Sequence, residues 1–368
     1  MKIITIIGAR PQFIKSAAVS RAIKQHNALS SHSDTLEEAI VHTGQHYDQK
    51  MSDIFFKELE IPEPAINLNI GSGSHGFQTG QMLIRIEALL LSEKPDIVLV
   101  YGDTNSTLAG ALAAVKLHLP IAHVESGLRS FNKRMPEEHN RIVTDHISTL
   151  LFCPTKTSIE NLTREGISEG VHLVGDVMFD SVLYNFELAQ KKSAILDRLS
   201  LIPKTYALAT IHRAENTDHA ERLKKIIQAF EDTAKSKIQI VIPMHPRTRK
   251  RIAELNIDVK YSMIIEPVSY LDMLLLEKHA SFIFTDSGGV QKEAYWAKVP
   301  CITLRDETEW VETVASGWNF LAGADYGSII ASLENRTVAK QSTSLYGNGN
   351  ASQLIIRELL RMNGKAAL

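Results

Sequence analysis

Short runs of β-branched and aliphatic residues recur along the chain. Each is followed by a polar turn and then by a segment whose apolar positions return every three or four residues. Lys2–Ile7 is the first run; it ends in Gly8-Ala9-Arg10-Pro11 and gives way to a helical pattern through Phe13, Ile14, Ala17 and Ile23. This predicts strand, tight loop and helix, the opening unit of a doubly wound fold. The same reading predicts strands Ala39–His42, Ile97–Val100, Ile121–Val124 and Leu150–Cys153, with helices Gln81–Ser92, Ser106–Lys116 and Glu138–Ser148. Asn27–Glu38 reads as an exposed loop and Gly44–Phe56 as a turn entering an amphipathic helix. A long helix is expected over Asp180–Leu199, and Pro203-Lys204 precede a second series. That series predicts strands Tyr206–Thr210, Ile238–Pro243, Met263–Ile265, Phe282–Thr285 and Cys301–Leu304, with helices Ala220–Ser236, Thr248–Ala253, Tyr270–His279 and Val290–Ala297. Alternation of this kind predicts mostly parallel sheets with helices on both faces. The expected architecture is α/β: two Rossmann-like domains, 1–170 and 171–351, facing a central cleft, with the C-terminal segment 352–368 packed back on the first.

Composition narrows the class. A chain of 368 residues accommodates roughly two domains of about 150 residues each. A formal net charge of -2 argues against a nucleic-acid partner, which calls for a basic excess. Cys153 and Cys301 lie far apart without metal-ligand spacing, so reduced, buried thiols in a cytoplasmic protein are expected. The opening MKIITIIGAR is too short an apolar run for a signal peptide. No stretch reaches the roughly 18 apolar residues that a membrane span needs.

Candidate chemistry gathers where strands end. Ligands of open parallel sheets bind beyond the carboxyl ends of the strands. Val98–Tyr101 and Ile121–Val124 run into Asp103 and Glu125, and the Glu137/Glu138 pair follows in a polar segment. Any one of these could merely cap a helix; several in succession indicate acid/base work. Arg10 and Lys15 stand where the first loop enters its helix, a natural place for an anion. The loop lacks GxGxxG, so no nicotinamide or flavin cofactor is indicated, and no metal site is read. The glycine-rich Gly71–Gly80 could cradle phosphate or simply move. In the second half, His212-Arg213 and His245 follow strands, and histidine suits proton transfer or phosphate pairing near neutral pH. Thr285-Asp286-Ser287-Gly288-Gly289 runs from an apolar strand into a helix, where free amides without side chains would hold a diphosphate. Glu293, one turn further, directs its side chain back towards that helix start and could accept from ribose hydroxyls. Together these point to a sugar nucleotide held mainly by the second domain, the layout called GT-B.

The motifs IGARPQFIK (Ile7–Lys15), TGQHYD (Thr43–Asp48), GDTNSTLAG (Gly102–Gly110), HVESGLRSF (His123–Phe131), MPEEHNR (Met135–Arg141), HRAEN (His212–Asn216), TDSGGVQKEA (Thr285–Ala294), LRDETEW (Leu304–Trp310) and YGNGNAS (Tyr346–Ser352) carry a family likeness. Over essentially its whole length the chain resembles the non-hydrolysing UDP-N-acetylglucosamine 2-epimerases. The resemblance implies a homodimeric isomerase that inverts C2 of a UDP-linked 2-acetamido sugar, eliminating UDP across C1–C2 and adding it back, with no cofactor and no metal. Such products serve surface-polysaccharide synthesis. By motif, Asp103, Glu125, Glu137 and His212 would be catalytic. Arg10, Lys15, Arg141, Arg213, Ser287, Gly288, Gly289, Glu293 and Arg305 would bind the UDP-sugar.

Two pieces depart from well-studied bacterial members, which carry Arg-Glu after Gln-His in the first domain and HRRE in the second. Here they read Gln45-His46-Tyr47-Asp48 and His212-Arg213-Ala214-Glu215, in or near the family's regulatory substrate site. The Gly71–Gly80 loop looks more like the branch acting on UDP-2,3-diacetamido-2,3-dideoxyglucuronic acid, whose extra carboxylate Lys133 or Arg134 could meet. A hydrolysing epimerase and a GT-B glycosyltransferase are the alternatives.

Overall fold

A computed structural model describes residues 1–30, 34–44, 58–334 and 344–366. The chain divides into two compact units, Met1–Leu183 with Tyr346–Leu368, and Tyr184–Leu345. The first holds β1 (Lys2–Ile7), β2 (Glu37–His42), β3 (Ile66–Asn67), β4 (Ile97–Tyr101), β5 (Ile121–Val124), β6 (Leu150–Cys153) and β7 (Val171–Leu173). These form one sheet in the order β3-β2-β1-β4-β5-β6-β7. The second unit holds β8 (Tyr206–Thr210), β9 (Gln239–Pro243), β10 (Met263–Ile265), β11 (Phe282–Thr285), β12 (Cys301–Thr303) and β13 (Asn319–Leu321). Their order is β10-β9-β8-β11-β12-β13. Every pairing in both sheets is parallel.

Parallel sheets are covered on both faces, so their strands read as near-continuous apolar runs. β4, IVLVY, is buried at every position, and β1 at all but Lys2. Behind the first sheet Ile4, Ile6, Val98 and Val100 pack with Met82, Ile86 and Leu90. In the second, Phe230 and Phe284 meet at 4.9 Å between ring centroids. The strand order reverses beside β1 and beside β8, so each unit has a topological switch point, between β1 and β4 and between β8 and β11. In doubly wound sheets ligands bind there.

Four differences from the expected elements have local causes. The sequence boundary at 170/171 cuts off β7, yet Val171 pairs with Leu151 and Leu173 with Cys153, so this strand closes the first sheet. The boundary falls at Leu183/Tyr184, inside helix Val177–Lys192. The helix expected over Asp180–Leu199 is two, Val177–Lys192 and Ile195–Arg198, broken where the Ser193 hydroxyl turns to accept from the Ile195 amide at 3.2 Å. The glycine-rich stretch is loop only to Ser74, with helix from His75 to Glu93, because Gln78 is buried and bonds the Gly71 carbonyl. The C-terminal helix, Ala351–Ala366, packs against helix Arg10–Leu29. The element expected over Gly44–Phe56, with Gln45–Asp48 inside it, lies outside the described residues beyond Gly44. Cys153 and Cys301 are free and buried, and burial pushes both thiols up to about 12. Among the described residues no helix is long and apolar enough to cross a membrane.

Candidate functional site

At the first switch point the Gln12 side chain joins the two loops. Its Oε1 accepts from the amides of Gly8 and Ala9 at 2.8 and 2.9 Å, and its Nε2 donates to the Tyr101 carbonyl at 2.7 Å. Lys15, on the same helix turn, donates to Glu125 at the end of β5. Burial alone would pull the Lys15 ammonium down, but Glu125, then Asp176 and Asp103, outweigh it, and Lys15 is held above its ordinary value. Its positive charge is therefore firm, and Glu125 takes most of it. Glu125 itself sits at φ 72°. A residue bearing a Cβ in the left-handed region costs about 1–2 kcal/mol, and such outliers concentrate at functional sites.

Asp103 belongs to the same cluster. Arg141 Nη2 donates to its Oδ2 at 2.7 Å, while Nη1 lies 3.0 Å from Glu138 Oε2. Glu138 is structural: it accepts from the amides of Ser130 and Phe131, both at 2.9 Å, and from the Ser130 hydroxyl at 2.8 Å. Burial would raise this carboxyl, yet these bonds and Arg141 hold it below the usual range. Its neighbour Glu137 is half-buried in the first turn of helix Pro136–Ile147 and makes no hydrogen bond among the described residues. Behind the carboxylates, His123 Nε2 donates to the Gly102 carbonyl and Nδ1 to Asp145, both at 2.7 Å. Asp145 also accepts from the Gly127 amide at 3.1 Å and Arg129 at 2.7 Å. One buried network thus fixes the loop carrying Asp103 and the loop carrying Glu125.

The second switch point is built around Asp286, fully buried at the end of β11. Its carboxylate accepts from the amides of His212 and Arg213 and from Asn216, and His212 Nδ1 lies 3.0 Å from Oδ1. Burial would raise the acid, but the His212 bond, followed by the amides, keeps it low and ionised. The imidazole is thereby oriented with its other edge outward; its side chain is 53% exposed. Helix Gly288–Trp296 starts here, with the Ser287 hydroxyl accepting from the Val290 amide at 3.4 Å. Among the described residues no acceptor reaches the amides of Gly288 and Gly289, so the helix start is open to an anion.

Beside it lies a cavity of about 250 Å³, walled by Pro243, Pro267, Val268, Met273 and Val290 and edged by His212 and Ser287. Its apolar walls suit a flat heterocycle. Further along helix Gly288–Trp296, Glu293 Oε1 accepts from the Tyr270 hydroxyl at 2.8 Å. Burial raises the Glu293 carboxyl, with Tyr270 and Lys292 pulling it back only in part. A depression of about 210 Å³ elsewhere in the unit is edged by Arg222, Lys225, Asp306 and Asp325. Those charges already pair with one another, at 2.9 and 3.6 Å.

The structure brings Lys15, Asp103, Glu125 and Arg141 together in one unit, and His212, Arg213, Ser287, Gly288, Gly289, Glu293 and Arg305 in the other. Arg10 stands exposed at the start of its helix, and Lys15, expected on phosphate, is committed to Glu125. Three residues of the two clusters had no role in the sequence reading: Asp286, Asp176 and Glu309. Asp286 could have been found as a carboxylate directly at a strand end; Asp176 and Glu309 follow no such pattern. His245 is a cap, its Nδ1 accepting from the Arg247 amide at 3.3 Å.

Known proteins bear directly on this arrangement. The family model described as UDP-N-acetylglucosamine 2-epimerase matches residues 27–360. A UDP-N-acetylglucosamine 2-epimerase homolog of Methanococcus maripaludis is 55% identical, over 98% of this chain and 99% of its own length. The UDP-2,3-diacetamido-2,3-dideoxy-D-glucuronate 2-epimerase of Pseudomonas aeruginosa is 50% identical, over 98% of this chain and all of its own. The crystal structure of Methanocaldococcus jannaschii UDP-GlcNAc 2-epimerase in complex with UDP-GlcNAc and UDP superposes with a TM-score of 0.81 at 48% identity, covering 98% of this chain and 99% of that one.

Proposed function

The chain belongs to the UDP-N-acetylglucosamine 2-epimerase family, and from that premise we propose that it inverts C2 of a UDP-linked 2-acetamido sugar by eliminating UDP and adding it back. It is an isomerase of GT-B fold. The second unit holds UDP: the base in the cavity beside His212, the ribose on Glu293, and the diphosphate at the Gly288–Gly289 helix start with Ser287, Arg213 and Arg305. The first unit supplies the acid/base groups. C2–H is only weakly acidic, so C1–O cleavage leads and positive charge develops on the ring. The carboxylates of Asp103 and Glu125 stabilise that charge, each paired with a cation, Arg141 and Lys15. Glu137, which makes no hydrogen bond among the described residues, is available to take or return the C2 proton. His212, oriented by Asp286, serves the departing diphosphate. Arg10 completes the phosphate contacts.

Glu125 carries this reading. Its left-handed backbone and its Lys15 pair hold a charged group beside the loop that follows β4, at the strand ends where ligands of such sheets bind.

Two sugars fit the class. UDP-GlcNAc, giving UDP-ManNAc, is the first. The diacetamido-glucuronate is favoured by Lys133 and Arg134, both exposed and, among the described residues, without a carboxylate partner. Either product would feed surface-polysaccharide synthesis in the cytoplasm. The working unit is a homodimer: Phe77, Ile84 and Leu91, seven residues apart on helix His75–Glu93, are 60%, 62% and 58% exposed, an apolar stripe suited to a second copy.

The test is to incubate the pure protein with each sugar nucleotide in deuterated water and follow deuterium entry at C2 by NMR. Exchange with epimerised UDP-sugar is expected. Free UDP accumulating in step with free sugar would instead make it a hydrolysing enzyme, and no turnover without an added acceptor would make it a glycosyltransferase.

A further inference from the structure

Glu309 lies in the LRDETEW motif, in the loop that follows β12, and the proposed chemistry gives it no role. Its Oε2 accepts from Arg305 Nη1 at 2.6 Å. Its Oε1 lies 3.0 Å from where a Cβ on Gly288 would stand. The carboxylate therefore rests against the first residue of helix Gly288–Trp296. Arg305 is itself buried, 7% exposed, and among the described residues its Nε has no hydrogen-bond partner. Arg213 adds a second positive field, and Glu309 stays below the usual carboxylate range although burial would raise it.

We infer that Glu309 is an internal counter-anion, holding Arg305 beside the diphosphate subsite and yielding it when a diphosphate arrives. This rests on the reading of the helix start as a diphosphate site. The physical need is plain. A buried guanidinium facing open amides at a helix start is a concentration of positive charge that the folded protein must neutralise. A fixed carboxylate does so between turnovers. It cannot stay, because a diphosphate and a carboxylate sharing the same donors repel one another. The side chain is 43% exposed, so it has room to swing outward.

Glu309→Gln keeps an oxygen for Arg305 and removes only the charge, which makes it the informative variant. Titration calorimetry should show UDP bound roughly tenfold tighter than by the wild type, the effect of one removed like-charge contact. Uridine, which lacks phosphate, should bind both proteins equally. Equal or weaker UDP binding by the variant, or an equal gain for uridine, overturns the inference while leaving the nucleotide site intact. No UDP binding by the wild type overturns that site and the inference together. A crystal structure of the wild-type chain with UDP is a second test free of any substitution: Glu309 should have left Arg305, and a pair still at its present distance refutes the displacement.

Discussion

The Nδ1 atom of His212 lies 3.0 Å from Oδ1 of Asp286, and the same carboxylate accepts from the backbone amides of His212 and Arg213. One buried acid therefore sets both the orientation of the imidazole and the path of the loop that carries it. Asp286→Asn places an amide where an acceptor for four donors is needed, so the ring loses its fixed tautomer. Turnover should fall about 10²–10⁴-fold, the usual worth of a positioned acid/base group. UDP affinity should change only a few-fold. Steady-state kinetics with calorimetry check this; turnover within tenfold of wild type refutes the orienting role.

Asp103→Asn and Glu125→Gln should each remove several orders of magnitude of turnover while UDP still binds, because neither carboxylate is among the groups proposed to hold UDP. In Glu125→Gln, Lys15 also loses the partner that holds it above its ordinary value. Activity retained in both variants would end the assignment.

Glu277 is fully buried in helix Tyr270–His279, and among the described residues neither of its carboxyl oxygens is hydrogen-bonded. Burial, then the neighbouring Glu293, pushes it well above its ordinary value. The folded state therefore binds this proton more tightly than the unfolded chain does. Its cost is absent at acid pH and grows as pH rises above the unfolded value of about 4.3 towards the raised folded value. Glu277→Gln should leave the melting temperature unchanged near pH 4 and raise it at pH 8. A melting temperature that rises equally at both values would rule out the buried acid as the cause.

Two glycines separate folding from binding. Gly127 sits at φ 77°, and a Cβ there would stand 2.4 Å from the Ser158 carbonyl. Gly127→Ala should cost about 2–4 kcal/mol in urea unfolding, from the left-handed backbone and the overlap together. At Gly289 the nearest side-chain atom to an added Cβ is Ser287 Oγ at 3.8 Å. Gly289→Ala should leave stability unchanged and weaken UDP binding at least tenfold. Full UDP affinity in Gly289→Ala would move the diphosphate elsewhere.

What could be read from the sequence depended on how local the signal was. The buried runs of β1, β4 and β11 announced themselves, and so did the residues just past them: Asp103, Glu125 and the Ser287–Gly289 turn. β3 and β7, of two and three residues, are too short for periodicity and exist only because a neighbouring strand pairs with them. Lys15 and Glu125 stand 110 positions apart, and no spacing rule connects such a pair. Lys15 looked like a free cation at a helix start for that reason. Glu277, in a run reading Leu-Glu-Lys-His, has the pattern of a solvated charge, and only the fold shows it enclosed. Glu309 was visible in its motif but had no meaning until Arg305 and Gly288 were placed beside it.

Both chain ends lie in the first unit, and the second, Tyr184–Leu345, is threaded between its parts. During synthesis, the second unit is whole as soon as Leu345 has emerged. The first still lacks helix Ala351–Ala366, the partner of helix Arg10–Leu29 that carries Lys15. A chain halted after Leu345 would thus carry a finished second unit and a first unit without that helix. The order of translation completes the unit that carries Lys15, Asp103 and Glu125 after the one that carries His212 and Ser287.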